Sequence, residues 1–266
     1  MRINSQKIIR LLEELAPPTL AESWDAVGFQ LGNRDVAIGK VMVALEVTEA
    51  VAAEAEEKSV DLLVVHHPLL FRPVAGITEH DSLGRILRRL IRADIHVYAA
   101  HTNLDSALGG VNDVLAGLLN LGTVEVLRPA EGQPGGLGRM GRLESPMTLR
   151  ELANAVKAAL NAPGVRFVGP EDQKLRKAAL CGGAGAELMA EARRQGCDVL
   201  ITGDVKYHEA RTAEALGLAL IDGGHFETEI GAVGHLARWL RERTDEKGYE
   251  VTVIESETLG NPYHYL

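Results

Sequence analysis

Cysteine, aromatic residues and long apolar runs are all scarce in this chain. Among 266 residues there are two cysteines, Cys181 and Cys197, too few for a disulfide framework in a chain able to build a core. That usage fits a reducing compartment, and a cytoplasmic protein is expected. Phe, Trp and Tyr together make up 4% of the residues. No apolar stretch approaches the ~20 residues that a membrane-spanning helix needs, so no membrane partner is expected. The N-terminal MRINSQKIIRLLEELAPP has helical amphipathic periodicity and acidic residues, without the continuous apolar centre of a signal peptide. Basic tracts are missing too: 28 Lys+Arg against 37 Asp+Glu gives a formal net charge of −9. Attraction to nucleic acid through its phosphates is therefore not expected.

What is present is ordinary for a globular chain, with 46% hydrophobic and 24% charged residues. The pattern predicts a helix over Ser5 to Leu15, stopped by Pro17-Pro18. Strands are predicted at Val41 to Leu45, Leu62 to Val65 and His96 to Ala100, and helices at Thr48 to Lys58 and Leu83 to Ala93. Gly109-Gly110 opens a further helix ending near Asn120. Glu131 to Gly136 is Gly-rich and reads as a linker or exposed hairpin. Strand cores return at Ala178 to Leu180, Val199 to Thr202, Leu218 to Ile221 and Val251 to Ile254. Short apolar strands separated by helices define an α/β protein with mostly parallel sheets.

The chain also repeats itself. Lys40 to Val65 overlies Lys177 to Thr202 at a constant offset of 137, which pairs Asp61 with Asp198. The next strands are matched at an offset of 124, pairing His101 with His225 and Asp105 with Glu229. Two similar α/β domains are expected, one over residues 1–128 and one over 129–266, as a pseudo-duplication.

In open α/β sheets ligands collect beyond the carboxyl ends of the strands. Here those ends carry His66-His67-Pro68, His101-Thr102-Asn103-Leu104-Asp105, Gly203-Asp204 with Tyr207-His208, and Asp222-Gly223-Gly224-His225 with Glu229. Five of nine histidines fall in these turns. One histidine at a strand end is usually a structural hydrogen-bonding group; five with two spaced carboxylates point to metal. Imidazole with carboxylate suits Zn, Fe, Mn, Co or Ni. Adjacent His66 and His67 diverge and so suit two neighbouring ions, while Asp105 and Glu229 can each bind one ion or bridge both. His225 and Glu229 share one face if a helix begins near His225. His66, His67, Asp105, His225 and Glu229 thus form a candidate set for two divalent ions, with positions left for water. His101 could be a ligand, an orienting neighbour or a proton-transfer group, and His208 either a site residue or a structural one. The turn Cys181 to Ala186 reads as tight helix–sheet packing in preference to an anion site, since it lacks a dinucleotide or Walker pattern. Trp24 to Gln30 reads as a loop at a cleft rim, and the aromatic tail Asn261 to Tyr265 as a docking segment.

Taken in order, WDAVGFQLGN (Trp24 to Asn33), the HHP strand end, HTNLD, GD with a following His, and GGHFETE are similar to the Nif-three-like family of dinuclear-metal hexameric proteins, often called GTP cyclohydrolase I type 2 homologs. The resemblance covers essentially the whole chain. It implies two interlinked α/β domains, a toroidal homohexamer, and metal ligands at His66, His67, Asp105, His225 and Glu229, with Glu229 bridging and His101 outside the ligand set. Some members carry an inserted domain between the halves; this chain resembles the short form.

The function expected is a dinuclear metal-dependent hydrolase acting on a small molecule, a purine nucleotide in the first instance. Metal-activated water would open the guanine imidazole ring of GTP, with His101 or His208 moving protons and Arg72 or the Gly182–Gly185 turn receiving phosphates. The alternatives are a phosphoesterase or amidohydrolase on another substrate, and a non-enzymatic metal-binding scaffold or partner-binding ring.

Overall fold

Caps and prolines fix where the first elements begin and end. In the computed structural model, which describes residues 3–266, β1 (Ile3–Asn4) leads into α1 (Ser5–Leu15), where the Asn4 side chain accepts from the Gln6 N–H. Pro17 and Pro18 end that helix. β2 (Gly28–Leu31), β3 (Ala37–Ile38) and β4 (Lys40–Ala44) follow. Next come α2 (Glu49–Glu57), capped by Thr48, and β5 (Leu62–Val65). α3 (Ser82–Arg92), capped by Asp81, and β6 (His96–Ala99) complete this stretch. The chain continues through α4 (Thr102–Ser106), α5 (Val111–Leu118), β7 (Gly122–Pro129) and β8 (Gly136–Thr148). α6 (Leu149–Ala159) opens with a capping box between Thr148 and Glu151. β9 (Arg166–Val168), β10 (Lys174–Leu180), α7 (Met189–Arg194), β11 (Val199–Thr202), α8 (Tyr207–Leu216) and β12 (Ala219–Asp222) follow. The last elements are α9 (His225–Glu246) and β13 (Thr252–Glu255).

Two units result. Unit 1 comprises the described residues up to Leu104 together with Val233–Gly260; unit 2 comprises Asp105–Ala232 and Asn261–Leu266. The sheet of unit 1 runs β13-β4-β5-β6-β2, parallel from β13 to β6 with β2 antiparallel at the edge. Its Met42, Leu63, Val65, Val97 and Ala99 bury against Val51, Ala55, Ile86 and Leu90 of α2 and α3. The sheet of unit 2 runs β7-β8-β10-β11-β12-β9, parallel through β10, β11 and β12 with antiparallel strands outside them. There the side chains alternate. Ala178, Leu180, Val199, Ile201 and Ile221 join α5 and α6 in one core; Ala179, Leu200 and Leu220 join α7 and α8 in another. Burial on both faces is why these strands are continuously apolar.

The internal repeat extends to individual hydrogen bonds. Asp61 Oδ2 accepts from Gly39 N–H and Lys40 N–H, and 137 residues on Asp198 Oδ2 accepts from Arg176 N–H and Lys177 N–H. Lys40 Nζ donates to Lys58 O as Lys177 Nζ does to Gln195 O. The following strands match differently from the 124 read in the sequence. Leu62 pairs with His96 and Val199 with Ala219, an offset of 219 − 96 = 123. His101 and His225 are thus one residue out of register, the difference falling in the turn after the strand.

Other expectations shift as well. Position 128/129 lies inside β7; of the two readings of the Gly-rich stretch, linker or exposed hairpin, it is the hairpin, forming the turn between β7 and β8. The last strand, expected in the second half, pairs with β4 of unit 1. Its trailing residues clasp α2: Glu54 accepts from Ser256 Oγ–H, the Glu257 and Thr258 N–H groups and Lys58. Part of the expected rim loop is β2, paired to β6. Among the described residues, no helix is long and apolar enough to cross a membrane.

Candidate metal centre

In unit 1 the site grows from the carboxyl ends of β5 and β6. After Val65 the backbone stays tied to β4, His67 N–H donating to Leu45 O at 2.7 Å, so two successive imidazoles leave the sheet together. The His66 and His67 rings lie 5.1 Å apart, and His101, directly after β6, closes the group at 5.2 and 5.7 Å. One donor atom from each of these three lies within 4.8 Å of the others, a spacing at which they could hold an ion.

The ring orientations are imposed by hydrogen bonds. His66 is buried, and its Nδ1 pairs with Ala100 O at 2.9 Å; a carbonyl can only accept, so Nδ1 carries the proton and Nε2 keeps its lone pair. His101 Nδ1 sits 2.9 Å from Asp25 Oδ1, whose side chain is fully buried. Burial would raise the Asp25 carboxyl, yet hydrogen bonds from His101 and from the Thr102 hydroxyl and N–H hold it at about 2. The Asp25 carboxylate can only accept, so it takes the His101 Nδ1–H and leaves Nε2 for a metal or a proton. Around this cluster stand Trp24, 61% exposed, and Phe71, 45% exposed, each edge-on to His101 at 6.4 and 6.2 Å. Trp24 is thus a neighbour of the imidazoles, in keeping with a rim position.

In unit 2 the donors come from the start of α9 and from α4. His225 begins α9, and the i,i+4 spacing brings its Nε2 to 3.1 Å from Glu229 Oε2. Its Nδ1 lies 2.7 Å from Asp204 Oδ2. The Glu229 hydrogen bond, working against burial and joined by the Glu229 and Asp204 charges, pushes the His225 imidazole up to about 9. The two carboxylates thus favour positive charge at His225. Glu229 and Asp105 are both buried carboxylates. Both raise the Cys181 thiol further beyond what its burial does, so that cysteine stays an inert core group. Asp105 is held through its carbonyl, which accepts from Asn112 Nδ2.

The Gly182–Gly185 turn packs against this cluster. A Cβ on Gly183, whose φ is +61°, would meet Glu229 Oε1 at 2.2 Å, so only glycine lets the carboxylate in. Its amides are spoken for: Gly182, Gly183 and Gly185 N–H donate to Asn112 Oδ1, Thr228 Oγ1 and Thr202 Oγ1. The turn is a packing device, as the sequence favoured, and offers no cradle for phosphate.

Of the residues picked from the sequence, His66, His67 and His101 are brought together in unit 1, and His225 with Glu229 in unit 2. His208 is not among the groups suited to a metal: it is exposed on the first turn of α8, its ring 5.3 Å from that of Tyr207. Asp25 and Asp204 were missed as site residues. Their only signal was position, in the WDAVGFQ segment and directly after β11.

Fold and donors together define a duplicated α/β protein whose strand ends present residues suited to divalent metal. A family model described as Duf34/NIF3 (NGG1p interacting factor 3) matches residues 3–262, and the chain belongs to that family. It is 36% identical over 268 residues to a Clostridium perfringens protein named GTP cyclohydrolase 1 type 2 homolog, with 100% of each chain covered. A Bacillus subtilis protein of the same name is 32% identical over 370 aligned residues, covering 99% of each. That alignment exceeds this chain of 266 residues, so this is a short relative of it. Among solved structures, the Bacillus cereus protein related to NIF3 superposes with a TM-score of 0.96 at 28% identity, covering 100% of both chains.

Proposed function

We propose that this protein is a metal-dependent hydrolase holding two divalent ions through His66, His67, Asp105, His225 and Glu229, with a purine nucleotide such as GTP as substrate. The observation that carries the reading is the hydrogen bonding around the donors: Ala100 O, Asp25 and Asp204 each engage the Nδ1 side of an imidazole, so that in each ring Nε2 is the nitrogen left for a ligand role. An imidazole that ligates a metal commonly gives its other ring N–H to a carboxylate or carbonyl in this way. The curated relatives bearing the cyclohydrolase name support the substrate class.

When bound, such ions would lower the pKa of water for attack on a ring carbon and clamp the reacting atoms. The chain's own contribution is positional. His101, its Nδ1–H held by Asp25, takes a proton at Nε2 and returns it as the imidazole ring of the substrate opens. Asp204 keeps the His225 ring turned toward Glu229. The same reading carries a homohexamer in the cytoplasm, which sedimentation and fractionation would test.

The deciding experiment is elemental analysis of anaerobically purified protein combined with a formate assay on GTP. Roughly two metal equivalents per chain are expected, falling sharply in His66→Ala and Glu229→Ala. Metal without formate release would overturn the cyclohydrolase reading; metal-dependent cleavage of a phosphodiester or amide would move the protein to another hydrolase class. Tight metal with no turnover at all would leave a scaffold.

A further inference from the structure

Beside His67, wholly within unit 1, lies an open cavity of about 320 Å³ whose wall includes Glu46, Val47, Leu69, Leu83 and Ile86 along with His67 itself. We propose that this cavity is a subsite for a planar heterocycle bearing paired N–H donors, as guanine does, and that Glu46 is its specificity-determining residue. The proposal rests on the purine reading above and gives that reading a chemical selector.

Size is the first argument. The cavity is at the small end of ligand sites, which span about 300–1,000 Å³. It has room for a ring and not for a nucleotide with its phosphates. Val47, Leu69, Leu83 and Ile86 supply apolar faces of the kind a flat ring covers. Glu46 is the acidic group in that wall. It is half-buried, and among the described residues it makes no hydrogen bond or ion pair. The neighbouring donors are already engaged, since Arg85 and the Ser82 hydroxyl both bind Glu49.

The backbone sets Glu46 beside the imidazole. Leu45 O receives the His67 N–H, so the residue following Leu45 is held next to His67. The repeat marks the position as unusual. At 46 + 137 = 183 unit 2 has glycine, at the point where Glu229 crowds in. Unit 1 places its own carboxylate there.

A carboxylate has two oxygens and no proton to give, so it accepts two parallel N–H groups and rejects a facing lone pair. Guanine offers N1–H and the exocyclic amino group side by side. Inosine's base retains N1–H alone, and adenine turns a bare N1 toward the acid. The ranking should follow that order.

The test is calorimetric titration of the metal-loaded full chain with guanosine, inosine and adenosine, repeated on Glu46→Gln. Guanosine is expected to bind at least about tenfold more tightly than adenosine, with inosine between, the scale of a hydrogen bond to a charged group. Glu46→Gln should weaken guanosine by a similar factor and flatten the ranking, while metal content is unchanged. Equal affinity for guanosine and adenosine, or an unaltered ranking in Glu46→Gln, would overturn the proposal. A guanosine preference in a protein that releases no formate from GTP would support the subsite and separately defeat the cyclohydrolase reading.

Discussion

At the end of β5 the chain reads His66-His67; 137 residues later, at the end of β11, it reads Gly203-Asp204. The frames leading to these points share hydrogen bonds atom for atom, down to the Asp61 and Asp198 carboxylates that each receive two backbone amides. The side chains at the tips do different jobs. In unit 1 they are two imidazoles, the first buried and the second half-buried. In unit 2 the first is bare, because a Cβ on Gly203 would stand 2.6 Å from the His225 nitrogen. The second, Asp204, turns the His225 ring. The scaffold is thus shared, while the imidazoles stand at the strand end in unit 1 and at the start of the next helix in unit 2.

That contrast can be broken at several points. The largest effect is expected from the ligands: His67→Ala in unit 1 and Glu229→Ala in unit 2 should each lower metal content severalfold by elemental analysis. Retention of full metal in either would remove that half from the site. Next is Gly203→Ala, which forces α9 away from the strand end and should cost about 1–3 kcal/mol in denaturant unfolding, as overpacking does. A neutral result would mean the bare position is incidental. Asp25→Asn and Asp204→Asn act through the rings they hold, and each should weaken metal binding roughly 10–100-fold with the fold intact. If only one of the pair does so, the two halves do not orient their histidines in the same way. Asp61→Asn and Asp198→Asn probe the shared frame, and about 1–2 kcal/mol of lost stability is expected from each, nearly equal between them.

The smallest effect is a pH dependence confined to unit 1. Burial opposes ionisation of Glu54, but Lys58, Ser256 and the Glu257 and Thr258 groups hold its carboxyl down at about 2. A depressed carboxyl stabilises the fold above its unfolded value, near 4.5, and that contribution fades as pH falls toward 2. Glu54→Gln should flatten the acid limb of the stability curve; an unchanged limb would show that the clasp carries no such linkage.

Much of this was legible in the sequence for one reason: parallel strands buried on both faces are apolar throughout, so their ends are sharp. The limits of β5 and β11, and with them the histidines beyond, could be read to the residue. What stayed hidden lacked that contrast. β7 is largely exposed, so the Gly-rich turn is legible as a linker or exposed hairpin while the long strands flanking it are not. Asp25 and Asp204 lie in irregular backbone, where no periodicity distinguishes an orienting carboxylate from a solvated one. The one-residue slip between His101 and His225 lies in the turn after the strand and shows only against the strand pairing, which composition does not encode.

The position of β13 beside β4 has a consequence for biosynthesis. As the chain leaves the ribosome, residues 105–232 emerge before Thr252–Glu255 can be added to the first sheet. Throughout that interval β4 is a naked margin of apolar backbone, open to pairing with another nascent copy. Completion of that sheet therefore waits on a strand made after residues 105–232, and chaperone demand should peak just before that strand arrives.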